Sequence, residues 1–195
     1  MTEQNPQGNL LNPKLQLVAW ELTRSCNLLC AHCRASANGS GGDGELTTEE
    51  CYRVIDEIAA VASPILILTG GEPLMRPDFF EIAGYASKRG LRVVIGTNGT
   101  VITPEIAVRL KAVPVARAGI SLDFPNAEEQ DKFRGKAGAF QAALDGINHI
   151  RNAGIEVQIN STITRLNVHH LNDLLSLAQE VGAVAFHPFM LVPTG

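Results

Sequence analysis

Short apolar runs separated by segments of helical pattern recur along the 195-residue chain. Residues 15–22, 64–68, 91–95, 115–122, 155–162 and 183–191 read as six strands. Runs of this length, rich in Val, Ile and Leu, suit strands buried on both faces. Helices are expected between them. Thr47 and Glu50 form a capping box, and Cys51, Val54, Ile55, Ile58, Ala59 and Ala62 follow at the spacing of one buried helical face. Residues 77–89 give a helix ending at Gly90, Thr103 with Pro104 opens a short one, residues 138–153 give another stopped at Gly154, and residues 168–181 give the last.

Strands alternating with helices predict an α/β fold with a parallel sheet, here a partial (βα)6 barrel. The last apolar run reaches the end of the chain with no helix to cover it. The barrel is therefore expected to be truncated after its sixth strand, without a C-terminal extension. Residues 1–13 read as a flexible polar tail, residues 14–195 as one core domain, and the glycine-rich stretch 38–44 as a mobile loop. Barrels of this kind carry their chemistry at the C-terminal ends of the strands. The unusual residues collect there: Cys26 to Cys33, Gly70 to Pro73, Thr97 to Gly99, Ser121 to Asp123, and Asn160 to Thr162.

Composition narrows the class without naming a function. Hydrophobic residues make up 45%, charged residues 18%, and the net charge is −4, so a packed core is expected and no basic stripe offers a nucleic-acid footprint. The apolar runs are too short to span a membrane, and the N-terminus lacks the pattern of a signal peptide. A cytoplasmic, reducing location follows as the default.

Three of the four cysteines fall at C-x3-C-x2-C, as Cys26, Cys30 and Cys33. Such clustering points to a metal site and away from a disulfide framework. A [4Fe-4S] cluster held by three thiolates keeps one iron open for a ligand. A zinc site completed by His32 is the alternative, although His32 lies between two of the cysteines in a strained position for joining them. Cys51, on a buried helical face, reads as a small hydrophobe. Gly70-Gly71-Glu72-Pro73 offers a close backbone approach and a carboxylate able to meet an ammonium group.

The cysteine loop after a first strand, with Gly-Gly-Glu-Pro after the second, resembles the radical S-adenosylmethionine (SAM) superfamily. The resemblance covers residues 15–195. It implies a SAM-binding partial barrel, with the open iron holding the methionyl amine and carboxylate of SAM. It also implies that SAM is cleaved reductively with electrons from a donor such as reduced flavodoxin or ferredoxin. On this likeness His32 packs near the adenine, and Gly70, Gly71, Glu72 and Pro73 serve the amine. Arg134, in Asp131-Lys132-Phe133-Arg134-Gly135, holds the carboxylate through its planar fork. Ser121 and Asp123 are candidates for the ribose. Asn98 and Asn160 either line the pocket or cap the following helices. His187 could reach the pocket floor, whereas His169 and His170 are expected to be solvated.

The phrases around Trp20, around His32 to Ala35, at residues 64–73 and at residues 191–195 bring the resemblance to the haem-biosynthesis branch. It implies a small-molecule substrate, an iron porphyrin whose propionates are oxidatively decarboxylated. Decarboxylases of didecarboxysirohaem and peptide maturases share most of these motifs. Arg24 and Arg34 flank the loop where they could meet substrate carboxylates. A non-enzymatic zinc or Fe–S module is the reading from a different class.

Overall fold

Six parallel strands lie in one sheet in chain order, curled into a half-barrel: β1 (Leu17–Glu21), β2 (Ile65–Thr69), β3 (Arg92–Thr97), β4 (Arg117–Ser121), β5 (Glu156–Ile163) and β6 (Ala185–Met190). The computed structural model describes residues 15–34, 37, 41 and 44–192. The expected tail over residues 1–13, most of the 38–44 loop, Ala35 and Pro193 to Gly195 lie outside the described residues.

Side chains alternate between the two faces of each strand. On the outer face Leu68 pairs with Ile95, Ile95 with Ala118, and Ile120 with Ile159. All are buried against the helices in one continuous core. On the inner face Gly96 lies beside Gly119 and Gly119 beside Gln158, while Ser121, Asn160 and His187 form a polar layer nearer the strand ends. The outer face carries the stability, at about 25 cal/mol per Å² of apolar surface removed from water.

The helices are α1 (Thr48–Val61), α2 (Phe79–Lys88), α3 (Pro104–Ala112), α4 (Ala127–Arg134), α5 (Ala139–Asn152) and α6 (Leu171–Glu180). The capping box of Thr47 and Glu50 is formed in both directions, and Thr103 caps α3. Expected boundaries and observed ones differ by a few residues for reasons that can be named. The second helix starts at Phe79 because Asp78 gives its carboxylate to Arg76 and Thr48. The segment expected as one helix from 168 begins as a 3-10 turn, Val168–His170, before α6.

Helix α4 has no counterpart in the sequence reading. Its sequence, AEEQDKFR, carries no apolar stripe, so helical periodicity is silent. It is fixed by its ends: the Asn126 side chain accepts from Glu129 N, and Gly135 closes it in the left-handed conformation (φ 69°). Among the described residues no helix is long and apolar enough to cross a membrane.

A helix that depends on its caps is sensitive to them. Asn126→Ala is expected to cost about 1 kcal/mol and to speed amide exchange across residues 127–134, measured by hydrogen–deuterium exchange. Unchanged exchange in α4 would contradict this account of the helix.

Candidate functional site

The cysteine loop leaves β1 and docks on the last turn of α4. Leu29 N donates to Arg134 O (3.2 Å) and Ala31 N to Phe133 O (3.0 Å). The His32 ring stacks on Phe133 at 4.3 Å between centroids. At Gly135 a Cβ would lie 2.4 Å from Leu29 O, so only glycine admits the loop this closely.

Each loop sulfur receives N–H donors. Leu28 N faces Cys26 Sγ at 3.5 Å and Asn98 Nδ2 faces it at 3.9 Å. Ala37 N faces Cys33 Sγ at 3.3 Å, and Arg134 Nη1 faces Cys30 Sγ at 3.7 Å. Burial pushes the Cys26 and Cys30 thiols up from their ordinary pKa, with Arg134 pulling Cys30 back in part. Metal binding at these thiols therefore releases protons.

The loop fits a cluster better than a single zinc ion. Thiolates about 2.3 Å from one tetrahedral zinc stand about 3.8 Å apart. Among the described residues, the group whose ligand atoms all lie within 4.8 Å of one another is Glu129, His169 and His170, and the loop thiols are not in it. His32 is committed to Phe133, its Nδ1 is buried without a hydrogen-bond partner, and burial lowers its pKa. A donor set of three spread thiols with N–H groups aimed at sulfur matches the ligation of Fe–S clusters.

The Gly70-Gly71 pair packs against the chain that enters the cysteine loop. A Cβ on Gly70 would lie 2.4 Å from Thr23 O, and one on Gly71 2.4 Å from Ser25 O. Gly71 N and Glu72 N donate to those same carbonyls, at 2.7 and 2.8 Å. The glycines let β2 run edge to edge with the chain entering the cysteine loop. Their close approach is thus to the chain entering the cysteine loop.

Glu72 is fully buried. Its carboxylate accepts from Thr97 Oγ1 at 2.9 Å, Asn98 N at 2.8 Å and Leu74 N at 3.2 Å. Burial still pushes its pKa up to about 7, against these hydrogen bonds. Asn98 links this knot to the loop, donating to Asn27 Oδ1 at 2.9 Å. Pro73 starts the 3-10 turn Pro73–Met75.

Across the site Asp123 and Arg134 form a buried ion pair, Oδ2 to Nη2 at 2.5 Å. Burial opposes the charge on Arg134, but Asp123 and Cys30 more than offset it, and its pKa is raised. Arg134 Nε is buried with no hydrogen-bond partner. The pair is secured by two buried residues that sequence reasoning missed. Gln130 Oε1 accepts from Asp123 N (2.9 Å) and Phe124 N (3.1 Å), and Asn167 Nδ2 donates to Asp123 O and Thr162 O, both at 2.8 Å. Thr162 N reaches Asp123 Oδ1 at 2.7 Å. No motif marks Gln130 or Asn167, because their partners lie on other elements.

The remaining candidates divide. Ser121 and Asn160 sit side by side on the inner face, with His187 next to them. Arg34 is paired with Glu21 on β1. Arg24 is exposed. His169 is exposed as expected, but His170 is held between Glu129 (3.0 Å) and Asp173 (3.2 Å), with 20% of its side chain accessible. Cys51 is fully buried under Arg76, remote from the loop in the chain and outside its hydrogen bonds.

Glu72 gives a prediction with a definite sign. Its folded pKa is raised from 4.5 to about 7, so its stabilising contribution is full below the unfolded value and is lost as pH rises through the folded one. That loss is on the order of 3 kcal/mol at most. Glu72→Gln should gain stability relative to the wild type between pH 5 and pH 8, measured by urea unfolding at both. A difference between the two proteins that does not change with pH would contradict it.

Comparison with known proteins completes the picture. The family model of the radical SAM superfamily matches residues 20–179. A Methanosarcina barkeri protein named AdoMet-dependent heme synthase is 53% identical over 180 residues, covering 92% of this chain and 52% of that protein. From the same organism, Fe-coproporphyrin III synthase is 44% identical over 167 residues, covering 86% of this chain and 42% of that protein. The crystal structure of Streptococcus suis SuiB bound to S-adenosylmethionine superposes with a TM-score of 0.79 at 16% identity, covering 93% of this chain and 41% of that one. The chain spans about half the length of the curated relatives it matches. Members of the matched family use a [4Fe-4S] cluster and SAM. On its sequence the chain belongs to the radical SAM superfamily.

Proposed function

We propose that this chain is the cluster- and SAM-binding part of a haem synthase that removes the carboxyl groups of two propionates of iron-coproporphyrin III. The observation that carries the reading is the higher identity to the heme synthase than to the Fe-coproporphyrin III synthase of the same organism.

Bound together, the cluster and SAM supply a radical able to abstract a hydrogen atom from substrate. The chain's own residues hold and orient them. Cys26, Cys30 and Cys33 take three irons as thiolates, and the N–H groups of Leu28, Ala37, Asn98 and Arg134 stabilise the charge on sulfur. Arg134 already faces Cys30 and keeps Nε without a partner, so it is suited to holding the SAM carboxylate beside the cluster. Glu72 provides the opposite charge for the methionyl ammonium at the ends of β2 and β3, with Asn98, Gly70, Gly71 and Pro73 shaping that corner. The His32–Phe133 stack offers an aromatic face for the adenine, and Ser121 with Asp123 lies where the β4 end can meet the ribose. Electrons come from a reduced flavodoxin or ferredoxin in the cytoplasm.

Two outcomes follow. Replacing Cys26, Cys30 or Cys33 by Ala should abolish the reconstituted cluster, whereas Cys51→Ala should keep about four irons per chain. Iron analysis decides it, and full iron content in all three loop variants would refute the ligand assignment. The full-length protein, incubated anaerobically with dithionite, SAM and iron-coproporphyrin III, should yield haem b through a monovinyl intermediate, read by mass spectrometry. Formation of 5′-deoxyadenosine with no vinyl product, while a sirohaem derivative or a peptide is consumed, would refute the substrate.

A further inference from the structure

The inner wall of the half-barrel carries a polar relay that ends at His187 and at Asn160, a residue expected to line the pocket or cap a helix. Arg117 opens β4 and pairs with Glu156 at 2.7 Å. Its Nη1 also faces Gln158 Oε1 at 3.5 Å. The Gln158 amide then reaches two neighbours through Nε2: Asn160 Oδ1 at 2.8 Å and His187 Nδ1 at 3.0 Å.

Donor and acceptor bookkeeping fixes the direction of this relay. A guanidinium only donates, so the oxygen of the Gln158 amide must face Arg117. Its NH2 group must then face Asn160 and His187. Both are forced to accept at the inner atoms, which leaves them as donors at the outer ones: Nδ2 of Asn160 and Nε2–H of His187. Neither outer atom is hydrogen-bonded to another described residue. A Cβ on Gly119 would lie 2.7 Å from Asn160 Nδ2, so the glycine on the adjacent strand is what allows the amide to lie where it does.

Asn160 and His187 are register partners on β5 and β6. Two preset donors on this wall, Asn160 Nδ2 lying over Gly119 of β4 and His187 Nε2 on β6, suit an acceptor with two oxygens. Phe189 lies two residues beyond His187 on the same face, 52% exposed, and adds an apolar surface next to them. A carboxylate attached to a flat apolar body matches this combination.

We propose that Asn160 and His187 form a carboxylate-binding site on the inner wall and that it takes a propionate of the porphyrin substrate. The substrate half of this proposal rests on the haem synthase reading above. The two residues position the substrate and take no part in proton transfer.

The test uses the cluster-loaded chain and four proteins: wild type, His187→Ala, Asn160→Asp and His187→Gln. Asn160→Asp still accepts from Gln158, so the relay and the fold are kept while the outer donor becomes an acceptor. Iron-coproporphyrin III is titrated by its Soret absorbance and SAM by equilibrium dialysis. Losing one hydrogen bond to a charged group weakens binding roughly ten-fold or more, so His187→Ala and Asn160→Asp should lose that much porphyrin affinity. His187→Gln, which keeps a donor, should recover part of it, and SAM affinity should be unchanged in the three variants. Unchanged porphyrin affinity in both variants overturns the proposal. A parallel fall in SAM affinity also overturns it, since the carboxylate would then be that of SAM. The third arm follows the His187 ring by 15N NMR during titration with sodium propionate. A shift in wild type that Asn160→Asp abolishes, without porphyrin binding by any form, would uphold the carboxylate site and overturn the haem synthase reading.

Discussion

The docking of the cysteine loop on the C-terminal turn of α4 is the constraint on which the rest of the site depends. Two backbone hydrogen bonds, the His32–Phe133 stack and the Arg134–Cys30 contact all join the same short stretches of chain. The loop follows β1 and α4 follows β4, so this junction draws opposite parts of the sheet over the mouth of the half-barrel. Gly135 lets the two backbones approach. The loop's own hydrogen bonds, such as Leu28 N to Cys26 Sγ and Cys33 N to Cys30 O, are local turns that do not tie it to the sheet.

That junction is costly to build, because it places charge where water does not reach. Asp123 is fully buried and the Arg134 side chain is 9% exposed. A buried charge left without its partner costs several kcal/mol, so the pair must be held from every side. Gln130, Asn167 and Thr162 grip the backbone and one carboxylate oxygen of Asp123, and leave the other for Arg134. Glu72 is treated in the same way by Thr97, Asn98 and Leu74. The two carboxylates lie just past the ends of β2 and β4, each held by donors from neighbouring segments.

Much of this was legible in the sequence, and the exceptions share a cause. The strands are near-continuous apolar runs, and caps such as Thr47 with Glu50 are local signals. The cysteine spacing is local too. Helix α4 escaped notice because it has no apolar face to give a period, although Asn126 followed by Glu129 was a cap in plain view. The packing of Gly70 and Gly71 was hidden because their close neighbours, Thr23 and Ser25, lie 47 and 46 residues earlier in the chain. Gln130, Asn167 and the Arg117–Gln158–His187 relay were invisible for the same reason. Hydrogen bonds between side chains of different elements leave no trace in residue spacing.

The central claim is that three thiols hold a [4Fe-4S] cluster with one iron open to SAM. Electron paramagnetic resonance of the anaerobically reconstituted, dithionite-reduced chain tests it most directly, with SAM labelled at the methionyl nitrogen and carboxylate. The account predicts a reduced-cluster signal whose g-values shift when SAM is added, with hyperfine coupling from both labels. A signal indifferent to SAM, with no coupling from either label, would contradict it.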